Sequence, residues 1–100
     1  MPKIVFQINY DIAPETREDY LMTVKELKNH LKSNSHKNYF VVEDKNKVNN
    51  FTEIYICENE EEYEGLEDES DDKTFELTNK IFSDYVVNKK AKYSTFYEID

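Results

Sequence analysis

The chain has a single glycine, Gly65, in 100 residues. Loops that cradle phosphates need glycine to bring backbone N–H groups close to the ligand, so nucleotide hydrolysis and dinucleotide binding lose their usual means of holding phosphate. There is also one cysteine, Cys57. No disulfide can close within the chain, which agrees with a reducing compartment. No apolar run approaches the roughly 20 residues of a membrane-spanning helix, and the N-terminus lacks the basic and long apolar regions of a signal peptide. A cytoplasmic protein with no membrane partner is expected. Positive charge is scarce as well: 13 Lys and Arg stand against 22 Asp and Glu, a net charge of -9. A nucleic-acid partner needs a positive footprint to release counterions, and Lys89, Lys90 and Lys92 are too few to supply one. No nucleic acid is therefore expected to bind. The two histidines, His30 and His36, are six residues apart across a predicted helix end. Metal-binding histidines on a helix sit closer, at i and i+4, or are joined by cysteines and carboxylates, so no metal is assigned.

What the chain does have is acid in one place and tyrosine throughout. Residues 58–72, ENEEEYEGLEDESDD, carry ten acids and no base, so the rest of the chain is close to neutral. This stretch lacks the D-x-[DN]-x-[DN]-G spacing of a calcium loop and reads as a solvated helix start. Aromatic residues make up 14% of the chain and eight of them are Tyr, yet 35% of residues are charged and the mean hydropathy is -0.89. A small aromatic core inside a very polar surface follows, of a size suited to one domain, residues 1–100.

KIVFQINYDI, residues 3–12, alternates as a strand: Ile4, Phe6, Ile8, Tyr10 and Ile12 on one face, Val5, Gln7, Asn9 and Asp11 on the other. Pro14 and the acids Glu15, Glu18 and Asp19 then suit the start of a helix whose stripe is Tyr20, Leu21, Val24, Leu27 and Leu31. SNSHKN, residues 33–38, stops it. YFVVED and FTEIYICE, joined by KNKVNN, form a hairpin with apolar residues on both faces of both strands. A second helix starts near Ser70 or Asp71 on the stripe Phe75, Leu77, Thr78, Ile81, Phe82, Tyr85 and Val86, preceded by a separate turn around Tyr63 and Leu66 that breaks at Gly65. KYSTFYEI, residues 92–99, is the last strand.

The order β, α, β, β, α, β specifies an α+β ferredoxin-like plait, a four-stranded antiparallel sheet with two helices on one side. Two helices cover one face, so the apolar residues on the other require a partner. A second copy is the simplest, which makes a homodimer the expectation. Which face of the first strand meets the helices is left open by the alternation. If it is the odd-numbered one, Gln7, Asn9 and Asp11 are too polar for plain core and line a pocket.

Across its whole length the chain resembles the dimeric α+β barrel superfamily, and within it the antibiotic-biosynthesis monooxygenase-like group. VFQINYDI, REDYLMTVKELKNHL, FTEIYICENEEEYEGL and YSTFYEI carry the resemblance. It implies one antibiotic-biosynthesis monooxygenase-like domain, paired into a dimeric barrel, with a pocket between sheet and helices. Several enzymes of the group place an Asn on strand one facing that pocket, and Asn9 looks like that position. The haem-degrading members also use a Trp in the sheet and a His on the second helix. This chain has no Trp, and residues 70–88 hold no His, so haem degradation is not expected.

The expected ligand site is Gln7, Asn9, Asp11, Tyr55 and Tyr85. A carboxamide can donate to one oxygen and accept from another, which suits orienting an enol, and tyrosines give an aromatic wall with hydroxyl tips. The expected function is the binding of a small, partly aromatic molecule, with a monooxygenase reaction that uses no cofactor as the implied chemistry. The competing expectation is a non-catalytic interaction protein whose acidic surface meets a basic partner. Cys57, on a β-run beside acids, is expected buried and inert.

Overall fold

A computed structural model describes residues 2–34, 38–68 and 71–99. Strand β1 runs Ile4–Asp11 and passes through the one-turn 3-10 segment Pro14–Thr16 into helix α1, Arg17–Asn34. Strands β2, Asn38–Glu43, and β3, Asn50–Cys57, form the hairpin. Helix α2 spans Glu60–Asp68 and α3 spans Asp72–Lys80, continuing as a π-helical turn over Ile81–Tyr85 before strand β4, Lys92–Tyr97. The sheet order is β2-β3-β1-β4, antiparallel at every pairing. This is the ferredoxin-like plait.

The even-numbered face of β1 meets the helices. Ile4, Ile8, Tyr10 and Ile12 are buried there, together with Phe51, Glu53 and Cys57 of β3 and Tyr39 of β2. Pairing of Ile8 with Glu53, of Phe6 with Tyr55 and of Tyr39 with Tyr55 puts the odd residues of β2 and β3 on this same face. The opposite face carries Val5, Gln7, Asn9 and Asp11, with Phe40, Val42, Ile54, Ile56 and Phe96 beside them. Val42 and Phe96 are exposed, and Val5, Phe40, Ile54 and Ile56 are half-buried.

Helix α1 seals the core with Tyr20, Val24, Leu27 and Leu31, each nearly inaccessible. Fully burying one such aliphatic side chain is worth roughly 1.5–3 kcal/mol. Two stripe positions expected in the core are instead exposed: Leu21 on α1 and Phe75 on α3. Thr23 and Thr74 are buried in their place. Threonine fits close to a neighbouring element and returns its hydroxyl to its own helix, as Thr23 Oγ1 does to the Asp19 carbonyl at 2.9 Å.

Helix α3 opens as its sequence requires, with Asp71 as N-cap accepting from the Thr74 N–H at 2.8 Å. Ser70, the other candidate start, and His36 lie outside the described residues. The predicted turn around Tyr63 and Leu66 is a full nine-residue helix that continues through Gly65. Three acids in its first turn favour the positive end of the helix and offset the single glycine. The π-turn widens the helix by one residue, so that Ile81 and Tyr85 both point inward while the Val86 N–H still reaches the Ile81 carbonyl at 3.1 Å.

Polar ties hold the layers in place. Arg17, at the start of α1, grips Glu43 of β2 with both guanidinium nitrogens at 2.6 and 2.9 Å, and also donates to Asn49 at 2.8 Å. That contact and the Asn49 N–H hold the Glu43 carboxyl down at about 2. Helices α1 and α3 are joined by Lys73 to Glu26 at 2.6 Å and by His30 Nε2 to Asp71 at 2.9 Å. Sharp turns that glycine would ordinarily make fall to Asn49 and Asn88, at φ 67° and 56°, residues that tolerate the left-handed region.

Candidate functional site

Alternation along β3 brings a carboxylic acid into the core. Phe51, Glu53, Tyr55 and Cys57 share the helix side of the strand, and Glu53 is only 1% exposed. Its neighbours are phenols. Tyr10 of β1 donates to Glu53 Oε2 at 2.7 Å and Tyr39 of β2 donates to Oε1 at 2.8 Å, while Tyr55, two residues along β3, shares the same side of the strand. Behind them the Tyr10 and Tyr20 hydroxyls meet at 2.9 Å. Burial pushes the Glu53 carboxyl above the usual glutamate range, and the Tyr10 and Tyr39 phenols pull it partly back. Burial and the nearby carboxyl in turn push the phenols of Tyr10, Tyr39 and Tyr55 upward.

This cluster has one side turned towards open space. Tyr10, Tyr20 and Tyr39 are buried, but Tyr55 is half-buried and its ring lies 5.9 Å from Phe6. Phe6 is the hub of an aromatic basin. Tyr63 of α2 meets it edge-on at 6.0 Å, and Tyr93 of β4 stacks beside it at 6.2 Å with the ring planes 17° apart. Tyr63 also hydrogen-bonds Thr95 at 3.2 Å, which sets α2 over β4. Tyr93 and Tyr97 stay 60% and 56% exposed, so the aromatic surface continues to the sheet edge. A hollow of about 90 Å³, lined by Pro2, Ile4, Asn59, Glu60 and Tyr97, closes this end beneath the first turn of α2.

The residues expected to line one pocket are divided between two faces. Tyr55 belongs to the basin. Tyr85 is on the same side of the sheet but packs in the core, its hydroxyl 3.2 Å from that of Thr23 and its ring against Tyr20. Gln7, Asn9 and Asp11 are on the opposite face, and the pocket expected between them and the helices is corrected on that point. The β1 positions facing the helices are Phe6, Ile8 and Tyr10, so Asn9 is one residue out of phase with the pocket-facing Asn that the resemblance implies. The physical reason is burial: the even face is apolar throughout, whereas the odd face would have taken three polar groups under the helices.

Asn9 works within the sheet. Its Nδ2 donates to Asn50 Oδ1 at 2.8 Å, to Thr52 Oγ1 at 3.0 Å and to the Phe51 carbonyl at 3.2 Å, while Asn50 Nδ2 donates to Asp11 at 3.0 Å. These bonds clamp β1 to β3. Beside them an open cleft of about 290 Å³ is walled by Asn9, Asp11, Asn88, Lys90 and Lys92. Gln7 lies between Ile54 and Ser94 on the same open face. Cys57 is buried, and among the described residues no three His, Cys, Asp or Glu side chains converge as a metal site. No helix among the described residues is long and apolar enough to cross a membrane.

Sequence reasoning passed over Glu53, although its signal was present. An acid at an odd position between Phe51 and Tyr55, on a strand whose odd residues are otherwise apolar or aromatic, is a buried carboxylate as soon as that face is known to meet the helices.

Comparison with solved structures places the whole chain in a known fold. A conserved protein from Methanosarcina mazei Go1 superposes with a TM-score of 0.83 at 13% identity, covering 99% of this chain and 95% of the other. An antibiotic biosynthesis monooxygenase gives 0.75 at 15% identity with full coverage of both chains. A NIPSNAP-like domain protein from Burkholderia xenovorans gives 0.65 at 14% identity, covering 98% and 84%. The chain therefore shares its ferredoxin-like α+β fold with these proteins. No protein-family model and no curated protein matches it.

Proposed function

We propose that the chain binds a small, planar, partly aromatic molecule in the basin around Phe6, and that it does so as a homodimer whose subunits pair through the open faces of their sheets. One observation carries the binding reading: Phe6, Tyr55, Tyr63 and Tyr93 form a partly exposed aromatic surface on the helix side, directly beside a buried acid. Flat ligands gain from stacking and edge contacts with such rings, about 0.5–1.5 kcal/mol for each pair beyond area burial. The dimer reading rests on Val5, Phe40, Val42, Ile54, Ile56 and Phe96, which make a contiguous apolar patch that two helices cannot cover. One protein of the same fold is a monooxygenase by name, and oxygenation of a bound phenolic or enolic ring without a cofactor is the reaction we assign to the basin.

Tyr93 offers a test that spares the fold, because its side chain is largely exposed. Nitrobenzene, a flat neutral probe, titrated into the protein and followed by NMR chemical shifts, is expected to move resonances of residues around Phe6. Tyr93→Ala is expected to weaken that binding roughly tenfold. Shifts elsewhere, or equal affinity in the variant, would overturn the basin as the binding site.

A further inference from the structure

Strand register sets a second row of rings beside Phe6. Ile4, Phe6 and Ile8 of β1 pair with Tyr97, Thr95 and Tyr93 of β4, so those three β4 side chains share the helix side of the sheet. The hollow lined by Ile4, Asn59, Glu60 and Tyr97 therefore lies two residues, or about 7 Å, along the strands from Phe6. Its volume of about 90 Å³ is well below the roughly 300–1,000 Å³ of a site for a whole ligand. It suits a substituent of a molecule whose ring rests on Phe6.

The charge around this row is predominantly negative. The helix-facing residues of the four strands include two carboxyls, Glu43 and Glu53, and no Lys or Arg. Above the hollow, α2 opens with Glu60, Glu61 and Glu62 and has no base anywhere in its sequence. Lys3, close by in the chain, is engaged with Glu58 at 4.0 Å. The positive end of a helix amounts to about half a unit charge, against three carboxylates here. One of its N–H groups, that of Glu62, is already taken by the Asn59 side chain at 2.8 Å. Aromatic faces are themselves electron-rich and attract cations.

We infer that the basin selects a cation: a planar ring lying on Phe6 and carrying a short alkylammonium arm, whose charged end enters the hollow between the Tyr97 ring and the Glu60 carboxylate. The inference rests on the basin reading above and narrows its ligand to protonated arylalkyl amines. The step of about 7 Å fits an arm of two or three carbons. Glu60 and Tyr97 are both exposed, and an exposed ion pair contributes little by itself, so the ring and the charge are both required. Because the row faces the helices, pairing of two copies through the open faces leaves it free.

The test uses three probes of similar shape and different charge: 2-phenylethylammonium, 2-phenylethanol and phenylacetate, each titrated at neutral pH and followed by NMR chemical shifts. The cation is expected to bind about tenfold tighter than the alcohol, the anion more weakly than either, with shifts at Phe6 and Tyr97. Butylammonium, which has the charge and no ring, is expected to bind about tenfold more weakly than 2-phenylethylammonium. Glu60→Gln is expected to bring the cation-to-alcohol affinity ratio below about threefold. Glu15→Gln makes the same change of charge beyond the opposite end of β1 and is expected to keep the wild-type ratio. Equal binding of cation and alcohol to the wild type, an unchanged ratio in Glu60→Gln, or an equal drop in Glu15→Gln overturns the cation site and leaves the basin standing. Butylammonium binding as tightly as 2-phenylethylammonium also overturns it, in favour of plain attraction to an acidic surface. Failure of all three ring probes to bind overturns the basin, and the cation site with it.

Discussion

Both faces of this sheet carry large apolar side chains, and the two sets have opposite fates. Beneath the helices, Ile8, Tyr10, Phe51, Tyr39 and Glu53 are sealed by Tyr20, Leu27 and Ile81. On the other side, Val42 and Phe96 are exposed and Phe40 and Ile54 only half-buried. The covered face tolerates polar atoms only where each finds a partner, and no buried side-chain nitrogen or oxygen among the described residues is left without one. The open face can mix Gln7, Asn9 and Thr52 with isoleucine because water still reaches it. Hydropathy alone does not distinguish a core from an interface; the number of available helices does.

Truncating the covered face should have the largest effect. Leu27→Ala, at a position with no exposure, is expected to cost about 2–5 kcal/mol of unfolding free energy, measured by urea denaturation. An equal loss from Val42→Ala would erase the contrast between the faces, because that side chain is 43% exposed. Next in size is the effect of charge on the open face. Ile54→Glu is expected to weaken self-association at least 100-fold by sedimentation velocity, about 2.7 kcal/mol, while helicity by circular dichroism stays the same. A wild-type chain that sediments as a monomer at micromolar concentration would remove the dimer.

The smallest expected effect lies at the rim, where α1 is tied to the hairpin. Glu43 and Asp71 are both held near 2, the first by Arg17 and the Asn49 N–H, the second by the Thr74 N–H and then His30. A carboxyl whose folded value is depressed contributes stability that is complete above its unfolded value and fades as pH falls through the folded one. Stability should therefore decline between about pH 4.5 and pH 2. Arg17→Ala should make that decline shallower and lower stability only slightly at neutral pH, because the pair is partly solvated. An acid limb of unchanged slope in the variant would show that Glu43 does not contribute to it.

Much of this was legible beforehand because period-2 and period-3.6 patterns are strong in strands and long helices. All four strands, α1 and the cap at Asp71 stand where alternation and capping chemistry put them. The facing of β1 was not legible. Both of its faces carry enough apolar area to pack, and the choice depends on partners that come from β2, β3 and two helices at once. That single ambiguity left the side of Gln7, Asn9 and Asp11 open and hid Glu53. Leu21 and Phe75 were misassigned for another reason: a helical stripe is about 100° wide, and residues at its margin are covered or bare according to how the helix is rotated on its support. Helix α2 was underestimated because a lone glycine weighs heavily in a short segment when its acids are not counted as favourable to the N-terminal turn.

Helix α2 also sets a clock. None of residues 60–66 is fully buried, and Tyr63 ties the helix to Phe6 and Thr95. Such an element detaches at a free-energy cost well below that of global unfolding. Its amides should exchange with deuterium long before those of β1 and β3. Each opening uncovers Phe6, so the frequency of that motion, rather than the depth of the basin, would set how fast a bound molecule comes and goes.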